Sequence, residues 1–139
     1  MYDGCILPRE YYIILYFTSY LSLISVVYAT YRGYYVLSCI PGLVFVSSIL
    51  YWQRPDYSWR RRLNMAVINT ALLMNCYVAW WAQQGWLYYG ITSFAVCLYI
   101  LAKVSYRRGY LLHATLYHIG LYLFGNIANI VMYSGYIHL

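Results

Sequence analysis

The chain has 139 residues, 64% of them hydrophobic and 9% charged, with nine basic residues against three acidic ones and a net charge of +6. A soluble domain carries about 25% charged residues, so this composition excludes an ordinary water-soluble core and points to an integral membrane protein. The length suits a single domain, and no linker, low-complexity tract or internal repeat divides it.

Charge position organises the reading. A spanning helix needs about 20 mainly apolar residues, and an ionised side chain at the bilayer centre costs at least about 2.5 kcal/mol, so charge-free stretches of that length read as spans. No charge lies between Glu10 and Arg32, which predicts a first span over 11–31. None lies between Arg32 and Arg54, which predicts a second over 33–53, with Pro41-Gly42 expected to kink it or open a gap. The uncharged run from Leu63 to Ala102 is too long for one helix. Gln83-Gln84-Gly85 supplies a polar turn and a breaker, giving spans over 63–82 and 86–102. A fifth span runs over 110–134, with Gly135 as its stop. Runs such as Ala71-Leu72-Leu73-Met74 are apolar on both faces and argue against a β-barrel. The expected fold is all-α: a polytopic transmembrane helical bundle of about five spans, one integral membrane domain over 1–139.

With five alternating helices, Arg9, Arg54, Arg60, Arg61, Arg62, Lys103, Arg107 and Arg108 collect on one side and Arg32 stands on the other. By the positive-inside bias the N-terminus is expected in the cytoplasm and the C-terminus on the exoplasmic or lumenal side. This placement accounts for the positive charge without a nucleic-acid partner. Tyr57-Ser58-Trp59-Arg60-Arg61-Arg62 interleaves aromatic and basic groups, but Trp and Arg at headgroup level are what a helix end needs. The expected contacts of Arg54, Trp59, Arg60, Arg61, Arg62, Lys103, Arg107 and Arg108 are anionic lipid headgroups or the acidic surface of another subunit in a membrane assembly.

Tyrosine is abundant, with 21 copies. Many fall near predicted span ends beside Trp52, Trp59, Trp80, Trp81 and Trp86, as an aromatic belt requires. Others, such as Tyr16, Tyr20, Tyr77, Tyr99 and Tyr122, lie deeper and need hydroxyl partners, for which Asn69, Asn75, Asn126, Asn129 and the serines of span one are available. Helices in lipid associate through small residues and a few hydrogen bonds, which nominates Thr18, Ser22, Ser25 and Ala29 in span one and Ala114, His118, Gly125 and Asn129 in span five. Cys5, Cys39, Cys76 and Cys97 form no C-x-x-C pair and read as packing residues.

Groups that could carry chemistry are sparse. The carboxylates are Asp3, Glu10 and Asp56, all outside the predicted spans, whereas ion-coupled carriers usually place an acid in the membrane. No catalytic residue and no cofactor is assigned from motifs. A small channel or carrier lined by Asn69, Asn75, Asn126 and Asn129 stands as one alternative.

Ser48-Ile49-Leu50-Tyr51-Trp52, then Leu63-Asn64, then His113-Ala114-Thr115-Leu116-Tyr117-His118 resembles the core of the membrane hydrolase superfamily that contains the alkaline ceramidases and the progestin and adiponectin receptors. In that superfamily a Ser-x-x-x-His ends one helix, an Asp opens the next and a His-x-x-x-His begins the last, with three histidines on zinc. The resemblance implies a zinc-dependent lipid hydrolase, with His113 and His118 as the candidate metal ligands. This chain departs from the pattern: Trp52 replaces the first histidine, Asn64 stands near the aspartate position, and five spans replace seven. His113 and His118, five residues apart, point about 140° away from each other on a regular helix. The resemblance therefore implies a catalytically degenerate relative. The segment from Tyr51 to Arg62 also resembles a loop of small uncharacterised membrane proteins of large DNA viruses and algae, which implies a virion or assembly-associated membrane protein. The function expected from the sequence is that of a structural or accessory multi-pass component of a membrane assembly, with the degenerate hydrolase as the alternative from a different class.

Overall fold

A computed structural model describes residues 4–139. They form six helical segments: α1 (Arg9–Thr18), α2 (Leu21–Tyr31), α3 (Tyr35–Trp52), α4 (Trp59–Trp80), α5 (Gly85–Arg107) and α6 (Leu111–Ser134). Arg9–Tyr31, Tyr35–Trp52, Trp59–Trp80 and Gly85–Arg107 are each long and apolar enough to cross a membrane. The chain is an all-α helical bundle and, by the length and composition of these four helices, an integral membrane protein. α6 has 24 residues, also enough to span, and carries His113, His118, Asn126 and Asn129 among its apolar residues.

α1 and α2 follow one another with a break at Ser19 and Tyr20. Its cause is local. The hydroxyls of Thr18 and Ser19 bond back to Ile14 O at 2.7 Å and Leu15 O at 2.9 Å and compete for the carbonyls of the preceding turn. The backbone then tightens to i−3 bonds, from Tyr20 N to Phe17 O and from Ser22 N to Ser19 O. The buried side of this rod is Leu15, Ser19, Ser22, Ser25 and Ala29. Thr18, expected on that stripe, is only half-buried, because the break hands its place to Ser19.

The expected kink at Pro41 does not interrupt α3, which is helical from Tyr35 to Trp52. Proline cannot donate to the carbonyl four residues back, here Leu37 O. The hydroxyl of Tyr133 on α6 reaches that carbonyl at 3.5 Å. A neighbouring helix thus supplies the donor that Pro41 lacks, as lipid-embedded backbone requires.

Three helices outrun their predicted spans, α1 by starting at Arg9 rather than 11. α4 starts at Trp59 rather than 63, because Ser58 caps it in extended geometry and accepts from Arg60 N at 3.3 Å. α5 continues to Arg107 rather than 102, taking Lys103 into the helix. Charge marks the edge of the apolar stretch, whereas helical hydrogen bonding continues beyond it. α2 and α5 end alike, with Arg32-Gly33-Tyr34 and Arg108-Gly109-Tyr110. Gly33 and Gly109 have φ +81° and +82°. In each case the tyrosine N–H bonds five residues back, Tyr34 to Ala29 O and Tyr110 to Ser105 O, both at 2.9 Å.

α6 is the hub. It packs against α1, α2 and α5. On one face it carries His118, Tyr122, Asn126, Asn129 and Tyr133, spaced by four, four, three and four residues. Asn126 Oδ1 accepts from Ser25 Oγ on α2 at 2.6 Å, and Asn129 Oδ1 accepts from Asn75 Nδ2 on α4 at 3.1 Å. Toward α5, Leu98 lies over Gly120, where a Cβ would come within 2.9 Å of it. Gly125, expected at a close approach, has open space in that direction.

Candidate functional site

The polar side chains of α3, α4 and α6 converge near one end of the bundle. Ser48 and Trp52 are four apart on α3, so they share a face, and both are buried. The Ser58 cap sets the start of α4 and places Asn64 in its second turn, also buried. Asn64 Oδ1 accepts from Ser47 Oγ at 3.0 Å and from Ser48 Oγ at 3.2 Å. Ser48 Oγ in turn accepts from the Tyr122 hydroxyl at 3.0 Å, and that hydroxyl accepts from Trp52 Nε1 at 3.0 Å. The result is a directed chain, Trp52 to Tyr122 to Ser48 to Asn64, in which the indole N–H and both hydroxyl protons are committed.

This arrangement brings together Ser48, Trp52, Asn64 and His118 from the sequence constellation, but not His113. His118 lies edge-to-face against Trp52 at 5.3 Å between ring centroids and packs on Tyr122 at 5.7 Å. His113 is exposed and meets Tyr110 instead. The residue sharing a face with His118 is Tyr122, four positions on, a spacing that the pairing of the two histidines overlooked.

The chemistry of the cluster follows from its donors. A nucleophilic serine needs a base to take its proton, and an amide oxygen is not one. Ser48 gives its hydrogen to Asn64, so it is not activated. A catalytic zinc needs three protein ligands from histidine, cysteine or carboxylate. The cluster offers one imidazole, and among the described residues no three such side chains gather elsewhere. The residues do not fit a zinc centre of the implied kind.

The same end of the bundle holds the basic groups. Ile6 N bonds Pro55 O at 2.7 Å and the Tyr106 hydroxyl bonds Ile6 O at 3.0 Å, tying the N-terminal segment to the α3–α4 loop and the end of α5. At the opposite end Arg32 Nε bonds Tyr133 O at 3.0 Å, and the 81–84 turn pairs with the chain after α6 through Gln83 N to Tyr136 O at 2.8 Å. Arg9, Arg54, Arg62, Lys103, Arg107 and Arg108 are therefore gathered at one end and exposed, while Arg60 and Arg61 are half-buried there. Trp59 is 63% exposed at this rim. Arg61 lies over the Tyr57 ring at 5.2 Å, and Lys103 over the Tyr99 ring at 5.1 Å. A cleft of about 320 Å³ between α1 and α3, lined by Arg9, Tyr12, Ile13, Tyr16, Trp52 and Gln53, opens beside the polar cluster.

One carboxylate is built into this end. Asp56 accepts from Ser58 N at 3.1 Å and from Arg60 Nη2 at 3.1 Å. Hydrogen bonding from Ser58, reinforced by the Arg60 guanidinium, holds its carboxyl below the usual range. Asp3 lies outside the described residues. Asn69, named as a pore-lining candidate, faces outward from α4, whereas Asn75, Asn126 and Asn129 are bonded within the bundle. Ser22, Ser25, Ala29 and Ala114 are buried at helix contacts.

Comparison with protein-family models, with curated proteins and with solved structures finds no match to this chain.

Proposed function

We propose that this chain is a structural or accessory multi-pass component of a membrane assembly whose basic end engages anionic lipid headgroups. The observation that carries the reading is a division of labour among polar groups. In the interior, Ser25, Ser48, Asn64, Tyr122 and Asn126 are spent on joining helices. Those of the basic end face outward, with Arg54, Arg62, Arg107 and Arg108 exposed around Trp59 and Tyr57. Each Lys or Arg near an anionic surface contributes about 1 kcal/mol of attraction. On this reading α6 is a fifth span, the basic end and N-terminus are cytoplasmic, and the C-terminus is exoplasmic or lumenal. The likeness of the Tyr51–Arg62 loop to viral and algal membrane proteins supports a virion-associated assembly.

The test is retention of lipid. After reconstitution with an equimolar mixture of phosphatidylcholine and phosphatidylglycerol and stepwise delipidation, the chain is expected to keep the anionic lipid preferentially. Arg60→Glu, Arg61→Glu and Arg62→Glu together should abolish the preference. Equal retention of both lipids by the unaltered chain would sink the reading.

The convergence of Ser48, Trp52, Asn64, His118 and Tyr122 favours a second reading, descent from the zinc-dependent membrane hydrolases with loss of the metal site. Stoichiometric zinc in the purified chain, lost on changing His118, would instead establish a working metal enzyme and remove both the silent-relative and the structural readings.

A further inference from the structure

Asparagine is used in one way throughout this bundle, with one exception. Asn64, Asn75, Asn126 and Asn129 each hydrogen-bond a side chain on another helix. Asn69 bonds to nothing among the described residues, and its neighbour Thr70 also lacks the bond to its own helix that Thr18, Thr30 and Thr115 make. Both face outward.

Their depth makes this exposure costly. α4 runs from Trp59 to Trp80 over 22 residues, so Asn69 and Thr70 are its two central positions. The first turn carries Arg60, Arg61 and Arg62 at headgroup level, so the apolar part of α4 begins at Leu63, and at 1.5 Å per residue Asn69 and Thr70 lie about 9–11 Å inside it, well within the hydrocarbon layer. Lipid tails offer a carboxamide no partner there. Ala66, Leu73 and Tyr77 extend the same outward face at intervals of three and four residues from this pair, with Leu73 72% exposed.

We infer that this face is the dimer interface of the chain, and that its occupant is α4 of a second copy. A carboxamide is self-complementary, carrying both a donor and an acceptor. Two copies share one orientation in the bilayer, so a two-fold axis along the membrane normal sets α4 against α4 at the same depth. Each Asn69 then donates Nδ2–H to Oδ1 of the other, with no second polar surface required of a different protein. Ala66 and Thr70 are small enough to let the helices approach. This inference rests on the membrane position of α4 and is independent of the headgroup reading.

The test uses the full chain labelled with donor or acceptor dyes in phosphatidylcholine vesicles, titrated by lipid dilution. Energy transfer above that of randomly placed monomers is expected. Asn69→Leu should weaken association about tenfold, and Asn69→Gln should preserve it. With the four native cysteines changed to serine, Leu73→Cys should cross-link into dimers under oxidation, and Leu123→Cys on the outside of α6 should not. Asn69→Leu removes no hydrogen bond within the described residues, so its unfolding midpoint in dilute, monomeric vesicles should stay at or above that of the unaltered chain. Random-level transfer, unchanged affinity in Asn69→Leu, or cross-linking through Leu123 instead of Leu73 would each overturn the inference.

Discussion

Tyr122 gives its hydroxyl hydrogen to Ser48 Oγ at 3.0 Å, and this bond joins α6 to α3 across the bundle interior. The Tyr122 hydroxyl oxygen in turn accepts from Trp52 Nε1 at 3.0 Å, so one hydroxyl satisfies two buried groups. Tyr122→Phe keeps the ring and removes both bonds. Helix-to-helix hydrogen bonds in membranes are worth about 0.6 kcal/mol on average and up to about 1.7, and here two partners are left unsatisfied. A loss of about 1–2 kcal/mol is expected in reversible unfolding in bicelles. Ser48→Ala should cost a similar amount, and the double variant less than the sum, since both remove one shared bond.

Gly109 ends α5 in left-handed backbone, with φ +82°. A Cβ there meets no neighbour, so Gly109→Ala isolates the backbone penalty of about 1–2 kcal/mol. The same change at Gly90, inside α5 and also with open space around it, should be neutral or stabilising, because alanine is the better helix former. Thermal unfolding of the two variants should therefore move in opposite directions, or at least differ clearly in size.

Asp56 predicts a pH dependence with a definite sign. Its folded carboxyl is held below the usual range by Ser58 and Arg60. A group with a depressed folded pKa contributes stability above its unfolded value, about 3.9, and loses it as pH falls through the folded value. Amide exchange protection of the first turn of α4 should thus be flat from about pH 5 upward and fall at lower pH. Asp56→Asn should lower protection at neutral pH and remove the acid dependence. An unchanged acid dependence in that variant would assign it to another group.

Much of this fold is legible in charge alone, because the cost of ionisation in lipid acts wherever the chain places a charge. Arg32, Arg54 and the basic residues from Lys103 to Arg108 thus mark where apolar stretches stop. Arg32 and Arg54 also fall at helix ends, just after Tyr31 and Trp52, but charge does not fix the ends elsewhere, since backbone bonding needs no lipid: α4 begins at Trp59 because Ser58 caps it, and α5 runs on past Lys103 to Arg107. The two Arg-Gly-Tyr stops were readable as glycine caps. The break at Ser19 was harder to foresee, because hydroxyl back-bonding is common in helices that stay straight. Composition shows that α6 carries polar side chains among apolar ones but not that it is central; the stripe His118, Tyr122 and Asn126, at intervals of four residues, carried that signal. In the candidate site, pairing histidine with histidine obscured the geometric pair His118 and Tyr122. Outward Asn69 could not be told from the inward asparagines, since nothing but packing separates them.

The second reading, descent from the zinc-dependent membrane hydrolases, makes its own prediction at the converged cluster. If Trp52, Asn64 and Tyr122 occupy former ligand and supporting positions, then Trp52→His, Asn64→Asp and Tyr122→His together present three imidazoles and a carboxylate beside Ser48. His118 and the introduced imidazole at 122 would sit four apart on one helix face, the spacing helical zinc motifs use. Replacing Trp52 and Tyr122 by the smaller histidine removes buried volume and two hydrogen bonds, so the variant without metal should be less stable, by less at each site than the roughly 3–5 kcal/mol of an aromatic-to-alanine truncation. Zinc at 100 times its dissociation constant should restore about 2.7 kcal/mol, seen as a metal-dependent rise in the unfolding midpoint with one zinc per chain. His118→Ala in the same background should abolish both the rise and the stoichiometry. A variant that folds and takes up no zinc would leave the cluster as a helix-joining network with no trace of a metal centre behind it.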